Sequence, residues 1–340
     1  MKAITYTQTG DASVLTLRDR QPAEPGTGEV LVQVMISGVN PTDWKRRAGA
    51  SGQTLDFSEV VPNQDGAGVV EAVGPGVQDL AVGDRVWVYL AQAGRPTGTA
   101  QEYVALPASR VVPLPDGASF EVGASLGVPA MTAHRALTVS EDWPDRLYPG
   151  ALTGATVLVA GGAGAVGHAA IQLARWAGAT VITTVSGPAK ATLAAAAGAH
   201  HVVNYKTDDA AAAITSIAPG GVDMVVEVAP AQNAALNAAV VSPRASIAVY
   251  ANDGGDEVLL DLIPQMMVNA RYQFILLYTV GEQALANGRD DVSAAAGDGA
   301  LAVGESAGLP LHRFPLADTA AAHDAVEGGA VGKVLVDVRG

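Results

Sequence analysis

The chain has 340 residues, of which 49% are hydrophobic, and its formal net charge at pH 7 is −14. So large a negative charge repels nucleic-acid backbones and anionic membrane surfaces, and neither is expected as a partner. The sequence contains no cysteine, which excludes disulfides, thiolate zinc sites and a cysteine nucleophile.

The chain is long enough for two domains of ordinary size. Its N-terminal stretch "MKAITYTQTG" lacks the apolar core of a secretion signal. No apolar run approaches the ~20 residues that a membrane-spanning helix needs. These features predict a cytoplasmic protein.

The first third of the chain has the pattern of β-strands. Apolar and polar residues alternate in four segments that are separated by turn residues, namely 29–37, 66–74, 84–90 and 100–107. This pattern predicts a mostly antiparallel, barrel-like β domain with no strong helix before residue 120.

After residue 120, short apolar runs alternate with Ala-rich helical stretches. Strands are predicted at 156–160, 180–185, 201–205, 222–229, 245–250 and 272–279. This order is typical of a parallel sheet covered by helices. Residues 284–304 are predicted to form a helix and a turn. The tail returns to a strand, a helix and the final strand "KVLVDV", which we expect to rejoin the first domain.

The segment "VLVAGGAGAVGHAAIQLARWAG" contains the pattern G-x-G-x-x-G between a predicted strand and a predicted helix. Gly162 would permit a tight turn, Gly164 would let a diphosphate approach the backbone, and Gly167 would let helix and strand pack closely. The amides at the helix start, including those of Ala165 and Val166, would bind the diphosphate. The segment therefore predicts a dinucleotide site.

The following strand indicates which dinucleotide binds. An NAD site normally carries a carboxylate about 20 residues after the glycines, which hydrogen-bonds the ribose. None occurs between 180 and 190; Ser186 and Lys190 stand there instead. A hydroxyl and a cation suit a 2′-phosphate, so NADPH is the expected cofactor.

Several ordered motifs carry a family resemblance. They are "GEVLVQVMISGVNPTDWKRRAG", "PNQDGAGVVEAVGPGVQDLAVGDRVW", "LGVPAMTAHRAL", "AGAHHVVNY" and "AHDAVEGGAVGKVLVDV". With these motifs the chain resembles the medium-chain dehydrogenase/reductase superfamily, in its zinc-free, zeta-crystallin-like quinone reductase branch. The resemblance covers essentially the whole chain.

The resemblance implies an α/β architecture, in which a GroES-like catalytic domain (1–127 and 282–340) holds an inserted Rossmann domain (128–281) for NADPH. It implies a further set of residues along the cofactor, namely Asn40, Thr132, Ser186, Lys190, Tyr205, Val228, Ala229, Tyr250 and Ala251. It also implies a homodimer that pairs through "QFILLYTV". One departure is that Gly328 and Gly329 stand where many relatives carry an Arg for the cofactor phosphate, which leaves Lys190 a larger share of that role.

A catalytic metal is not expected. Zinc-dependent relatives use a Cys and Gly-His-Glu, whereas this chain has Asn40, Gln64 and Asp65 at those places. Two amides and one carboxylate are poor zinc ligands, and the six histidines show no ligand spacing. Without a Lewis acid, reduction of an electron-poor acceptor by NADPH is favoured over alcohol oxidation.

These arguments predict hydride transfer to a quinone or an α,β-unsaturated carbonyl as small-molecule substrate. Candidate donors to the developing oxyanion are Asn40, Gln64, Tyr89 and a cofactor ribose hydroxyl, with Asn40 as the catalytic choice. Candidates for flat pocket walls are Trp44, Tyr89, Tyr250 and Tyr278. Asp43 and Asp65 are interpreted as structural groups that bond nearby backbone or Arg46.

Two alternatives stay open at this point. An enoyl-thioester reductase would need a basic patch for a coenzyme A or carrier phosphate, and "WKRRAG" is the only candidate stretch. A non-catalytic NADPH-binding redox sensor would bind the cofactor tightly and turn over little.

Overall fold

The computed structural model describes residues 1–52 and 54–339. The chain divides into two compact units, one formed by Met1–Val128 with Pro310–Gly340 and the other by Pro129–Leu309. The C-terminal segment thus rejoins the first unit, as the sequence pattern predicts.

The boundary of the second unit differs from the predicted one. Residues 282–309 were predicted to belong to the first domain, but they lie in the second unit. The reason is packing: the helix Glu282–Gly297 contacts the helices Met131–Leu137 and Ala165–Trp176 of that unit.

The first unit is built on antiparallel strands. Its strands are β1 (Lys2–Thr5), β2 (Thr16–Asp19), β3 (Glu29–Val39), β4 (Asp65–Val73), β5 (Arg85–Val88), β6 (Tyr103–Pro107), β7 (Val111–Pro113), β14 (Leu311–Pro315) and β15 (Lys333–Asp337). β1 pairs with β2, and the larger sheet has the order β14-β15-β3-β4-β5-β7 with β6 also paired to β3. Only β14 and β15 run parallel in that sheet as described.

The core of the first unit follows the strand period. Val30, Val32 and Val34 are alternate residues of β3 and have no exposed side-chain surface. They pack with Val60, Val86 and other residues of one apolar cluster. Strand alternation of this kind places one face of β3 in the core.

Three helices belong to the first unit, namely α1 (Pro41–Ala48), α2 (Phe120–Ser125) and α10 (Thr319–Glu327). The prediction of no strong helix before residue 120 was therefore wrong. α1 has no apolar period, but Pro41 opens it and the Asp43 carboxylate accepts a hydrogen bond from the Asn40 backbone N–H at 2.7 Å. These are start signals of a helix, and α1 then packs against α10.

The second unit is a six-stranded, fully parallel sheet with helices around it. Its strands are β8 (Thr156–Ala160), β9 (Thr180–Val185), β10 (His201–Asn204), β11 (Val222–Glu227), β12 (Val241–Val249) and β13 (Arg271–Phe274), in the order β10-β9-β8-β11-β12-β13. Its helices are α3 (Met131–Leu137), α4 (Ala165–Trp176), α5 (Pro188–Ala196), α6 (Ala210–Ile217), α7 (Pro230–Val240), α8 (Leu262–Met267) and α9 (Glu282–Gly297).

Two predicted strands of this sheet differ from the observed ones. β12 begins at Val241, four residues before the predicted start at 245. β13 ends at Phe274, after which the chain forms a 3₁₀ turn at Leu277–Thr279. Apolar runs such as "FILLY" do not distinguish a strand from a buried turn by periodicity alone.

Among residues 1–52 and 54–339, no helix combines the length and the apolar character that crossing a membrane requires.

Candidate functional site

The carboxyl ends of the six parallel strands meet at one edge of the sheet. The chain goes from β8 to β9 and β10 on one side and returns to β11 on the other, so the order reverses between β8 and β11. Ligands of open parallel sheets bind at such a reversal point. The loops after the strands bring the predicted cofactor residues to this edge, namely Gly162–Gly167, Ser186, Tyr205, Val228, Ala229, Tyr250 and Ala251.

The glycine loop follows β8, but the structural role of each glycine differs in part from the prediction. The left-handed residue of the turn is Gly161, with φ +70°, and not Gly162. A Cβ on Gly162 would lie 2.2 Å from Thr183 Oγ1, so Gly162 is required for packing against β9. A Cβ on Gly167 would lie 2.4 Å from the Gly161 carbonyl oxygen, so Gly167 permits the close approach of α4, as predicted.

Gly164 has a different environment. It is the N-cap of α4, and the nearest atom to a Cβ built there is the Gly161 carbonyl oxygen at 3.5 Å. The next three residues, Ala165, Val166 and Gly167, present backbone N–H groups that have no partner within a helix. Open space in front of amides at a helix N-terminus fits a diphosphate.

The end of β9 fits a phosphate monoester. Ser186 and Lys190 are both half-buried, and Lys190 lies in the first turn of α5. Tyr205 follows the neighbouring strand, and its N–H donates to the Val185 carbonyl at 3.1 Å, which brings it beside Ser186. The Lys206 ammonium lies 5.4 Å from the Tyr205 ring centroid. The donor set is a hydroxyl and cations, which suits a 2′-phosphate.

Glu227, which the sequence analysis missed, fixes the loop after β11. Its carboxylate is fully buried and accepts hydrogen bonds from the Ala229 N–H at 2.6 Å and from the side-chain amides of Asn233 at 2.9 Å and Asn237 at 2.6 Å. Val228 and Ala229 are thereby held against α7. A carboxylate after an apolar strand, followed by two Asn four residues apart, is the signal in the sequence.

Tyr250, Tyr278 and Thr132 complete the predicted residues of this unit. Tyr250 follows β12, its N–H donates to the Glu227 carbonyl at 3.1 Å, and burial raises the pKa of its hydroxyl. Tyr278 lies in the 3₁₀ turn after β13. Thr132 is buried in the first turn of α3, which packs against β11 and β12.

A second group of predicted residues forms a buried polar cluster inside the first unit. The Asn40 side-chain N–H donates to Asp65 Oδ2 at 2.7 Å, and the Lys333 ammonium donates to Asn40 Oδ1 at 2.7 Å. Lys333 Nζ lies 3.8 Å from Asp65 Oδ2, and the three side chains are at most 2% exposed. The amide of Asn40 is thus oriented by an anion at one end and a cation at the other.

Lys333 was missed because a lysine at the start of "KVLVDV" is typical of a solvated strand end. The side chain instead runs past Gly38, where a Cβ would lie 3.1 Å from Lys333 Cε. Burial lowers the pKa of Lys333, and the Asp65 and Asp43 carboxylates oppose this shift. Burial raises the pKa of Asp43 to about 8, and the charge of Asp65 adds to the rise.

Asp43 and Asp65 bond backbone, as predicted, but neither bonds Arg46. Arg46 pairs with Asp56 at 2.9 Å instead. Asp65 accepts the Val128 N–H at 2.9 Å. A Cβ on Gly127 would lie 2.0 Å from Asp65 Oδ1, so only glycine lets the chain pass this carboxylate.

The remaining predicted pocket residues differ in exposure. Gln64 is buried, and its amide exchanges two hydrogen bonds with Gln92, at 3.1 and 3.2 Å. Trp44 is half-buried on α1. Tyr89 lies in the core, where its hydroxyl donates to the Ser109 carbonyl at 2.9 Å, so the structure contradicts its proposed role as donor and pocket wall.

At the positions where zinc-dependent relatives carry metal ligands, the side chains of this protein are hydrogen-bonded to one another or to neighbouring side chains. Asn40 and Asp65 bond each other and Lys333, and Gln64 bonds Gln92. In the described parts of the chain, 1–52 and 54–339, no group of three or more His, Cys, Asp or Glu side chains could hold a metal ion.

Comparisons with known proteins agree with this architecture. The sequence model of the alcohol dehydrogenase GroES-like domain matches residues 26–116, and that of the zinc-binding dehydrogenases matches residues 165–290. A quinone oxidoreductase of Rattus norvegicus is 33% identical over 262 residues, which are 76% of this chain and 75% of the relative.

Two further relatives extend the comparison. A 2-haloacrylate reductase of a Burkholderia species is 34% identical over 236 residues, which are 68% of this chain and 67% of the relative. The structure of a mycobacterial protein complexed with NADPH is similar with a TM-score of 0.80 and 31% identity, over 99% of both chains. The chain therefore belongs to the medium-chain dehydrogenase/reductase superfamily, in its zinc-free quinone oxidoreductase branch.

Proposed function

We propose that this protein is an NADPH-dependent reductase of quinones or α,β-unsaturated carbonyls that works without zinc. The observation that supports this proposal most strongly is a pair of candidate phosphate-binding groups at the sheet edge. They are the backbone amides at the start of α4, and Ser186 with Lys190 at the end of β9. No carboxylate follows β9 to bind a free ribose hydroxyl. The mycobacterial relative bound to NADPH supports the same cofactor.

When bound, NADPH supplies a hydride from its nicotinamide. The chain's own residues hold the cofactor and orient the acceptor. The loop Gly161–Gly167 binds the diphosphate, Ser186, Lys190 and Tyr205 bind the 2′-phosphate and its ribose, and Val228, Ala229 and Ala251 line the groove. Glu227 keeps that groove in place through its bonds to Ala229 and α7.

On the acceptor side, Asn40 is the group best suited to stabilise a developing oxyanion. Its Nδ2 gives one hydrogen to Asp65, no acceptor for the other is found among residues 1–52 and 54–339, and the amide is held by Asp65 and Lys333 before any substrate binds. A donor that needs no reorganisation is the kind that stabilises a transition state most. Trp44, Tyr250 and Tyr278 are proposed as flat walls for a planar acceptor, with Gln64 as polar lining.

The absence of zinc is part of the proposal and is supported by the donor chemistry. A divalent cation would have to displace Lys333 from Asn40 and Asp65, and Gln92 from Gln64. Two amides and one carboxylate that is already paired are weak zinc ligands, so they would not compensate the loss of these contacts.

The alternatives have less support. An enoyl-thioester reductase needs free cations in "WKRRAG", yet Arg46 pairs with Asp56, and Arg47 is fully buried and pairs with Glu327. The 2-haloacrylate reductase relative favours a small activated alkene instead. A redox sensor remains the second candidate, because the cofactor half of the site would serve it equally well.

We also propose that two copies of the chain associate. Seven of the eleven large apolar side chains exposed among the described residues lie between 259 and 276, and we name them the 259–276 surface: Leu259, Leu262, Ile263, Met266, Met267, Phe274 and Leu276. β13, within it, is the edge strand of its sheet and pairs with β12 alone among described residues. An apolar edge of this size needs a cover, and a second copy can continue the sheet.

The first prediction concerns cofactor choice. Lys190→Ala should raise KM for NADPH about 10- to 150-fold, because an ammonium–phosphate hydrogen bond of about 1.5–3 kcal/mol is lost, and should leave KM for NADH unchanged. Steady-state kinetics with both cofactors measure this. Lys2→Ala, an exposed lysine of the first unit, is the matched control. An unchanged NADPH preference in the Lys190 variant would contradict the assignment.

The second prediction concerns turnover. The purified protein should oxidise NADPH with members of a panel of benzoquinones, enones and 2-haloacrylates, and Asn40→Ala should lower kcat about 100-fold. Gln33→Ala, which removes a half-buried amide bonded to Tyr103, should have no effect. NADPH binding without consumption on any acceptor would favour the redox sensor over the reductase.

The third prediction follows from the raised pKa of Asp43. Between its ordinary value of 3.8 and about 8, the folded chain keeps the Asp43 proton while the unfolded chain releases it. Stability from this group is therefore full below pH 3.8 and is lost as pH rises toward 8. Asp43→Asn, which keeps an oxygen acceptor for the Asn40 N–H, should remove this pH dependence in urea unfolding. If the free energy of unfolding changed with pH in the same way in both proteins, the raised pKa of Asp43 would be contradicted.

The fourth prediction tests association. Sedimentation should give a species of two 34.3 kDa chains, and the double variant Ile263→Glu/Phe274→Glu should give one chain, since charges on both elements would be buried. Leu17→Glu, at an exposed apolar residue of the first unit, should remain paired. A monomeric wild-type protein would refute the proposal without bearing on the reductase activity.

A further inference from the structure

The buried cluster around Asn40 contains a cation, Lys333, whose surroundings are all acceptors. Its ammonium donates to Asn40 Oδ1 at 2.7 Å and to the Val39 carbonyl at 3.3 Å, and it lies 3.8 Å from Asp65 Oδ2. Lys333 is 1% exposed. An ammonium has three N–H donors, so three acceptors around it suit the charged form of the side chain.

The contacts of Asp65 likewise suit the ionised form of its carboxyl group. Asp65 accepts the Asn40 side-chain N–H at 2.7 Å and the Val128 N–H at 2.9 Å, and both partners are donors. An ionised carboxylate only accepts hydrogen bonds, whereas a protonated carboxyl also has to donate one. Asp65 therefore places a negative charge directly beside the amide of Asn40.

This negative charge opposes the role that is proposed for Asn40. The Nδ2 atom of Asn40 gives one hydrogen to Asp65, and the oxygen of an electron acceptor would take the other. Two oxygens that share one amide nitrogen through ordinary hydrogen bonds lie about 5 Å apart. The charge that develops on the acceptor oxygen would thus be repelled by a buried carboxylate, at a place where water screens little.

The ammonium of Lys333 counteracts this repulsion in two ways. It lies beside the carboxylate of Asp65 and compensates its charge. It also bonds the oxygen end of the Asn40 amide, and a hydrogen bond to the carbonyl of an amide strengthens the donor at its nitrogen end. Arg46, a neighbouring cation on α1, pairs with Asp56 instead.

We propose that Lys333 is the positioning residue of the reductase site. Its charge compensates Asp65 and its hydrogen bond holds the Asn40 oxygen, so that the second N–H of Asn40 can stabilise an oxyanion on the acceptor. Lys333 acts through Asn40 and needs no contact with the acceptor. This inference rests on the proposed function, and it gives the reason why an amide beside a carboxylate can serve as the donor.

A double-mutant cycle on kcat for NADPH oxidation, with menadione as the acceptor, tests this role. Lys333→Met, which removes the charge and the donor but keeps an unbranched side chain, should lower kcat about 100-fold. In the Asn40→Ala background the same change should cost less than about twofold, because Lys333 acts through Asn40. A role in folding alone would give equal losses in both backgrounds, and equal losses would overturn the proposal.

A charge-neutral variant covers the case in which Lys333→Met folds poorly with its carboxylate left unpaired. Asp65→Asn/Lys333→Met removes both charges and keeps an oxygen for the Asn40 N–H, so its kcat should stay within about tenfold of the wild-type value. A loss of about 100-fold in this double variant would contradict the charge compensation. Lys2→Met, at an exposed lysine that pairs with Asp19, is the matched control and should leave kcat unchanged.

A measurement that needs no turnover separates this inference from the proposed function. In heteronuclear NMR spectra of the full chain, the side-chain amide signal of Asn40 is identified by its loss in Asn40→Ala. This signal should shift in Lys333→Met and stay in place in Lys2→Met. An unshifted signal in Lys333→Met would overturn the positioning role, whether or not any acceptor is reduced. A shifted signal in a protein that reduces no acceptor would refute the reductase function and not the contact.

Discussion

The carboxylate of Asp65 is the contact on which the first unit depends. It receives the Asn40 amide and the Val128 N–H and lies beside the Lys333 ammonium, so it connects segments around residues 40, 65, 128 and 333. A buried charge is tolerated only when hydrogen bonds and an opposite charge surround it. The same requirement fixes Gly127, where a Cβ would lie 2.0 Å from Asp65 Oδ1. At Gly38 a Cβ would lie 2.3 Å from the Ala124 carbonyl oxygen and 3.1 Å from Lys333 Cε. The orientation of Asn40 is a by-product of this constraint, and the proposed chemistry uses it.

In the second unit, the direction of the strands positions the candidate site residues. Because all six strands run parallel, every loop that follows a strand arrives at the same edge, and the residues after the strands are brought together there. The loop after β11 has in addition a buried anchor, Glu227, which accepts the Ala229 N–H at 2.6 Å. The two units thus position their proposed site residues differently: one by a compensated buried charge, the other by topology.

The sequence predicts these two halves unequally. Strands β8 and β9 and the glycine loop follow from periodicity and turn residues, because local geometry requires those residue types. The separate roles of Gly161 and Gly162 could not be predicted from the sequence, because the collision of a Cβ on Gly162 with Thr183 depends on the next strand, β9. The sequence gives no sign that Lys333 and Glu227 are buried and bonded, because the partners of Lys333 are distant in the chain and those of Glu227 lie on a later helix. α1 was missed, since capping and not an apolar period defines it. Tyr89 was misassigned because an aromatic residue near a strand end fits a pocket wall and a core equally.

The pairing of β15 with β3 has a consequence for synthesis on the ribosome. Residues 36–39 are translated long before their partner strand at 333–337, and the entire Pro129–Leu309 unit is made in the interval. At about 5–20 residues per second, the nascent first unit waits on the order of 10–60 s with residues 36–39 of β3 lacking their β15 partner. During that wait Asp65 lacks its ammonium neighbour, Lys333. The nucleotide-binding half is therefore complete before the half that contains Asn40 can close around its charges.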